Sequence, residues 1–412
     1  MMQTVAIVGA GIAGVTACRS LRESGFSGSI ILFGDEAQEP YDRPSLSKST
    51  LKTGGAPPPL AKPGWEQEYD VEMRLGERVI SVDFHAKSLV LDRQRSVTFD
   101  KLVLAAGARA RSLAAARSAP PGTVHVLRTL ADSAALREEL GAGRRVIIIG
   151  GGLIGCELAT TVRTMGCEVV LLESADELLL RVLGRKMGAW CRDRLTGLGV
   201  EIHLGVSVTS ISADAGVRDV RCSSGRRFAG DVAIVCVGAE PSVELARGAG
   251  LACNRGVLVD ACGRTDNPAV FAIGDAASWP LRDGGQRSLE TYLNSQSQAI
   301  CAASSIVGQA KPAPQIPISW TEIAGSHIQM MGDVEGPGAI VERKSPEGDA
   351  NMYLRLHNGV IQAAISIDRA KDFAFVTKLI EREFEVDSNM VADGATGMRD
   401  VFKAASRADV KC

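Results

Sequence analysis

TVAIVGAGIAGVTACRSLRESG at residues 4–25 and RVIIIGGGLIGCELATTVRTMG at residues 145–166 are two copies of one pattern. Each is a short β-branched run, a glycine cluster and an amphipathic helical stretch that closes on glycine, Gly25 or Gly166. The clusters read G-x-G-x-x-G, as Gly9, Gly11 and Gly14 and again as Gly150, Gly152 and Gly155. The first glycine permits a tight turn, the second lets the backbone approach a pyrophosphate, and the third lets the helix pack closely on the strand. The N-terminus of that helix favours the phosphate charge. One such motif is weak, but two in one chain, each between a strand and a helix, predict two dinucleotide-binding units.

Each copy runs on into another β-like run, SIILF at 29–33 and EVVLL at 168–172, which completes a right-handed crossover between parallel strands. The segments DVAIVCVGAEP and NPAVFAIGDAA read as later strands ending at glycine-rich turns. The first unit is therefore interrupted by the second: one dinucleotide-binding domain over 1–109 and 231–315, another inserted over 110–230. From KPAPQIP at 311–317 the composition changes to a proline-rich linker. Beyond it MYLRLHNGVIQAAISID alternates like antiparallel strands around Asn358-Gly359, and DFAFVTKLIEREF has helical spacing. The expected fold is α/β, with two Rossmann-like domains followed by a C-terminal α+β domain over 316–412.

At 412 residues the chain has room for these cores, and 23% charged residues with a net charge of −2 give no field that calls for nucleic acid. The apolar runs are short and broken by glycine, and a strand pattern begins almost at once, so neither a membrane span nor a leader is expected and the location reads as cytoplasmic. The ten cysteines contain no C-x-x-C pair and lack metal-ligand clustering, so they read as small core residues, with no metal site and no thiol relay.

The two units differ where an acid usually meets a ribose. In the second, Glu173 stands 18 residues after Gly155, placed to accept from the 2′-hydroxyl of NADH and to repel the extra phosphate of NADPH. No arginine follows in ESADE, which favours NADH. In the first, Gly34 holds the equivalent place and Asp35 and Glu36 follow; Asp35 is the residue assigned to that ribose.

The order of GAGIAG, GDEAQEPYDRPSLSK, KLVLAAGARAR, GGGLIG, FAIGDAA and ETYLNSQSQA resembles the oxygenase-coupled NADH-dependent ferredoxin reductases, flavoproteins of the glutathione-reductase fold group. The resemblance is specific over about residues 4–310 and weaker beyond. It implies FAD in the split domain, NADH in the inserted one, and a C-terminal domain that covers the flavin and helps to form the partner surface. It further implies that Arg43 pairs with the FAD pyrophosphate, that Lys48 lies beside the flavin ring, that Arg128 is another FAD contact and that Asp275 binds the ribityl chain. Glu290 would lie near the active site, at the start of a helix facing the flavin, while Gln296 and Gln298 read as surface positions of that helix. Glu157 is similar to a glutamate on the nicotinamide side that can pair with Lys48, and equally an ordinary first-turn acid. Trp320 resembles an aromatic set against the flavin, although ISWTEIAG has Glu322 where an aspartate is usual. Val79, Ala106, Gly238 and Tyr292 complete the implied cofactor contacts, and Lys48, Glu157 and Trp320 are the implied catalytic set.

Where related disulfide reductases carry a redox cysteine, this chain has Ser45 and Ser47. The flavin itself is then the electron store: hydride passes from NADH to FAD, and single electrons leave to a 2Fe–2S ferredoxin that feeds a Rieske dioxygenase or cytochrome P450. A rubredoxin reductase or a monodehydroascorbate-type reductase would need almost the same chain. An NADH-sensing flavoprotein acting through partner binding is the reading of a different class. The C-terminal domain carries 11 Lys and Arg against 15 Asp and Glu, so it is not a basic platform for an acidic carrier. A monomer or homodimer is expected.

Overall fold

The computed structural model describes residues 3–92, 95–117, 119–214, 216–344 and 350–409. Its first sheet has five parallel strands in the order Val270–Ala272, Lys101–Leu104, Thr4–Val8, Ser29–Gly34, Val71–Leu75. Central residues such as Val5, Ala6, Ile7 and Leu102 are fully buried, in a core shared with helix residues such as Val15 and Ala302 and with Leu89 and Leu91, and the strands read as unbroken apolar runs. The second sheet, also parallel, runs Val200–His203, Glu168–Leu172, Arg145–Ile149, Val232–Val235. Each unit also carries a three-stranded antiparallel sheet, one over Val79–Thr98 and one over Val208–Gly230, so the duplication extends beyond the glycine motif.

The sheet pairing corrects one boundary. Val232–Val235 was assigned to the first domain by the limit at 230/231, yet it pairs with Arg145–Ile149 as the edge strand of the inserted sheet. A short apolar run carries no mark of which sheet it will join. The chain enters and leaves the inserted domain on two neighbouring strands, Ala108–Ala110 and Ala239–Pro241, which pair antiparallel.

The two glycine turns are near-superposable. Gly9 and Gly150 have φ of +118° and +111°, and Gly11 and Gly152 precede their helices with φ −81° and ψ −171° and −170°. A Cβ on Gly14 or Gly155 would lie 1.9 Å from the carbonyl oxygen of Gly9 or Gly150, while Gly11 and Gly152 face open space. The first glycine of each motif thus makes the positive-φ turn, the third lets the helix close on it, and the second leaves its side open.

The C-terminal domain is a five-stranded antiparallel sheet in the order Ile318–Ile323, Ser326–Met331, Val360–Ile367, Ala350–His357, Ala339–Lys344. Asn358 and Gly359 both have positive φ, +50° and +76°, as a two-residue Asn-Gly hairpin turn requires. The helices Ala370–Arg382 and Met398–Asp409 cover one face through Phe373, Val376 and Val401. From the other face Ile323, Ile328, Met330, Ile365 and Ile367 join the core of the inserted domain. No helix among the described residues is long and apolar enough to cross a membrane.

Candidate functional site

One cavity of about 1430 Å³ runs between the three domains. It is larger than a usual small-molecule pocket of roughly 300–1,000 Å³, as a dinucleotide with a second ligand at one end would need. Gly9, Gly11, Asp35, Arg43, Lys48, Val79, Ala106, Arg128, Glu157, Asp275, Glu290, Tyr292 and Trp320 line it. Gly14 is buried beneath the first glycine turn, while Gly150, Gly152, Gly155, Glu173 and Gly238 stand away from this cavity, on the inserted domain. Among the described residues no cysteine lines it, and no cluster of His, Cys, Asp or Glu could hold a metal ion.

At one end the first helix starts at Gly11 with no side-chain cap, so its N–H groups are free for an anion. Asp35 is exposed and has no side-chain hydrogen bond or ion pair among the described residues, whereas Glu36 is held from two sides: Arg43 pairs with it at 2.6 Å and the Tyr41 hydroxyl donates to it at 2.6 Å. Tyr41 also accepts from Leu130 N at 2.9 Å, and burial with the Glu36 hydrogen bond pushes its phenol up to about 12. Arg43 donates to the Arg128 carbonyl at 2.8 Å. Arg128 is fixed in turn by the capping box of Thr129 and Asp132, and its guanidinium pairs with Asp275 at 2.9 Å. These cations beside an uncapped helix fit the pyrophosphate and ribityl portions of FAD.

The helix Tyr292–Ile306 supports this wall. Gln298, expected on the surface, is 1% exposed, and its side-chain oxygen accepts from Gly274 N at 2.8 Å, which fixes the turn bearing Asp275. It lies one turn ahead of the buried face that continues through Ala302 and Ser305, and this 3.6-residue periodicity marked it as inward. Tyr292 packs edge-on against Trp320 at 5.4 Å, joining the split domain to the C-terminal one.

Glu290 precedes this helix at φ +52°. It opens onto the cavity but is walled by protein, and that burial raises its carboxyl above the ordinary range, with Asp275 adding and Arg255, Arg128 and Arg111 opposing. A raised folded value means stability present below the unfolded carboxylate range and lost as pH rises through the folded value. In FAD-free protein, Glu290→Gln is therefore expected to gain in Tm over wild type as pH goes from about 4 to about 7. A constant Tm difference across that range would contradict the assignment.

At the other end Lys48 follows a short 3-10 turn, Arg43–Ser47, opened by Pro44. Its ammonium pairs with Glu157 at 2.8 Å and donates to the Pro44 carbonyl at 3.1 Å. Glu157 is 4% exposed and takes two further hydrogen bonds, from Ser47 Oγ and Thr321 Oγ1, each at 2.6 Å. The expected pairing is formed, and the carboxylate is a buried junction rather than a solvated first-turn acid. Ser45 donates to the Asp42 carbonyl, so both serines of this region are structural hydrogen-bonding groups. Sequence reading missed Thr321, whose partner is 164 residues away.

On the inserted domain the second helix begins uncapped at Gly152, and Glu173 accepts from Gly151 N at 2.6 Å and Ala175 N at 2.7 Å. Its carboxylate is thus fixed beside the open glycine turn, which fits the adenosine end of NADH. Leu153, Ile154 and Val182 of the inserted domain line the cavity, as do Asp333 and Val334 of the C-terminal domain.

Residues 3–299 match the family described as pyridine nucleotide-disulphide oxidoreductase, and residues 319–402 match the reductase C-terminal domain. The biphenyl dioxygenase system ferredoxin–NAD(+) reductase component of Paraburkholderia xenovorans (strain LB400) is 48% identical over 98% of this chain and 99% of its own. The ferredoxin reductase component of chlorobenzene dioxygenase from Cupriavidus sp. (strain PS12) is 49% identical, with 98% of both chains covered. The structure of the covalent putidaredoxin reductase–putidaredoxin complex matches at TM-score 0.91 and 28% identity, over 98% of this chain and 99% of that one. The ferredoxin reductase for the CYP199A2 system of Rhodopseudomonas palustris matches at TM-score 0.92 and 34% identity, over 98% of this chain and 100% of that one. With two glycine turns, a cavity that no described cysteine lines and these relatives, the chain belongs to the pyridine nucleotide-disulphide oxidoreductase family and carries its reductase C-terminal domain.

Proposed function

We propose that the protein is a cytoplasmic NADH-dependent ferredoxin reductase, which uses FAD to pass electrons from NADH to a 2Fe–2S ferredoxin serving an oxygenase. The observation that carries this reading is the Lys48–Glu157 pair, on the cavity wall where the two dinucleotide-binding domains meet and where no described thiol could take electrons onward. FAD, when bound, supplies the conversion of a two-electron donor's charge into single-electron steps. The chain supplies position and field. Arg43 and Arg128 hold the anionic end, Asp275 accepts hydrogen bonds, and Trp320 with Tyr292 closes the cavity on the C-terminal side. The Lys48 ammonium, ion-paired with Glu157 and donating to the Pro44 carbonyl, lines the cavity, where its charge can stabilise a developing negative charge.

The test is anaerobic stopped-flow absorbance: the yellow protein is reduced with NADH, then mixed with a 2Fe–2S ferredoxin from the same cell. Fast bleaching followed by fast reoxidation is the expected result. Fast bleaching with a persistent long-wavelength band and no reoxidation would favour the sensing reading, and no bleaching would remove NADH from the inserted site. Glu173→Ala is expected to narrow the preference for NADH over NADPH by about tenfold, the value of one hydrogen bond to a charged group. The ratio of the two kcat/KM values reports it, because a loosened Gly151 turn would weaken both cofactors alike.

A further inference from the structure

Glu157, on the inserted domain, is the only side chain among the described residues shown bonded to both of the other domains. Its Oε2 is held by Lys48 and Ser47 of the split domain, and its Oε1 by Thr321 of the C-terminal domain alone. The next turn of the same helix repeats the clamp, with Thr161 Oγ1 donating to the Ser47 carbonyl at 2.7 Å and Ala324 N donating to Thr160 Oγ1 at 3.0 Å. Thr321 and Trp320 are neighbours on one edge strand and reach different places, the Glu157 carboxylate and the cavity wall against Tyr292.

We infer that Thr321 is a positioning residue for the flavin reaction: its hydroxyl holds Glu157 Oε1, and so fixes where Glu157 places the Lys48 ammonium. A buried carboxylate oxygen stripped of its one donor takes another. The nearest cation is Lys48, already 2.8 Å from Oε2. Drawn toward both oxygens, the ammonium would withdraw from the cavity and stabilise negative charge there less well. The C-terminal domain thereby sets the field on the flavin side through a single hydroxyl, in addition to forming a wall of the cavity.

The inference rests on the NADH and FAD reading above, and the experiment separates the two. The reduction potential of the FAD-loaded protein is measured by anaerobic equilibration against a reference dye for wild type, Thr321→Val, Thr321→Ser and Thr160→Ala. Thr321→Val keeps the shape and removes the hydroxyl. Its equilibrium is expected to shift about tenfold away from reduced flavin, equivalent to about 30 mV for a two-electron couple. Thr321→Ser should restore the wild-type value. Thr160→Ala breaks the parallel interdomain bond one turn away without touching Glu157 and should leave the potential unchanged. Equal potentials for Thr321→Val and wild type would overturn the inference, as would an equal shift in Thr160→Ala, which would mark a general loosening of the domain. Wild-type protein that NADH does not bleach would instead overturn the underlying functional reading.

Discussion

Gly14→Ala is expected to yield protein that purifies without flavin colour, whereas Gly155→Ala should stay yellow and lose its bleaching by NADH. The added methyl in either variant would sit 1.9 Å from a backbone carbonyl oxygen, that of Gly9 or Gly150. Backbone on both sides leaves no flexible side chain to move, so the helix must lift from the strand. Overpacking of this kind costs about 1–3 kcal/mol in an ordinary core. Here the displaced atoms are also the helix N–H groups that would face the pyrophosphate, so the loss falls on affinity as well as stability. A decrease in dinucleotide affinity of at least a hundredfold is expected in each case, about 3 kcal/mol. The two variants separate the sites. FAD content after purification reports the first, and the NADH concentration for half-maximal bleaching reports the second. If Gly155→Ala lost FAD while Gly14→Ala kept it, the assignment of the two units would have to be exchanged.

This pairing of motif and space was legible in the sequence because much of the constraint is local: strand, turn and helix lie within about twenty residues, and Gly14 and Gly155 answer to the carbonyls of Gly9 and Gly150 inside that stretch. The same holds for the Asn358-Gly359 hairpin, where both residues take positive φ. Features set by distant partners were not legible. Val232–Val235 is an apolar run that either sheet could have accepted, and only its register with Arg145–Ile149 decides the matter. Asp35 and Glu36 are adjacent acids of similar chemistry. Glu36 differs because Arg43 and Tyr41 fold back onto it. Asp35 remains the proposed ribose ligand, and Glu36 is the acid that holds Arg43, the proposed pyrophosphate ligand, in place. Glu157 draws its hydrogen bonds from residues 110 and 164 positions away, a distance over which no periodicity carries information.

That junction gives the second large prediction, in which stability and chemistry part company. Lys48→Met removes the only cation paired with Glu157 among the described residues and leaves a carboxylate whose side chain is 5% exposed with two hydroxyl donors. Breaking a buried pair by removing one partner typically costs about 3–5 kcal/mol, most of it the penalty of the charge left behind. The variant should therefore unfold at clearly lower temperature and also bleach with NADH about a hundredfold more slowly, as expected when one electrostatic stabiliser is lost. Glu157→Gln added to Lys48→Met removes the stranded charge while keeping the side chain's shape. Most of the lost Tm should return in the double variant. The rate of flavin reduction should not, because no ammonium is left beside the cavity. Recovery of both would mean that Lys48 acts only by neutralising Glu157; recovery of neither would mean that its packing matters more than its charge. Recovery of stability alone is what the geometry requires, since Glu157 is held by groups from two domains and Lys48 is the cation among them, lining the cavity as well.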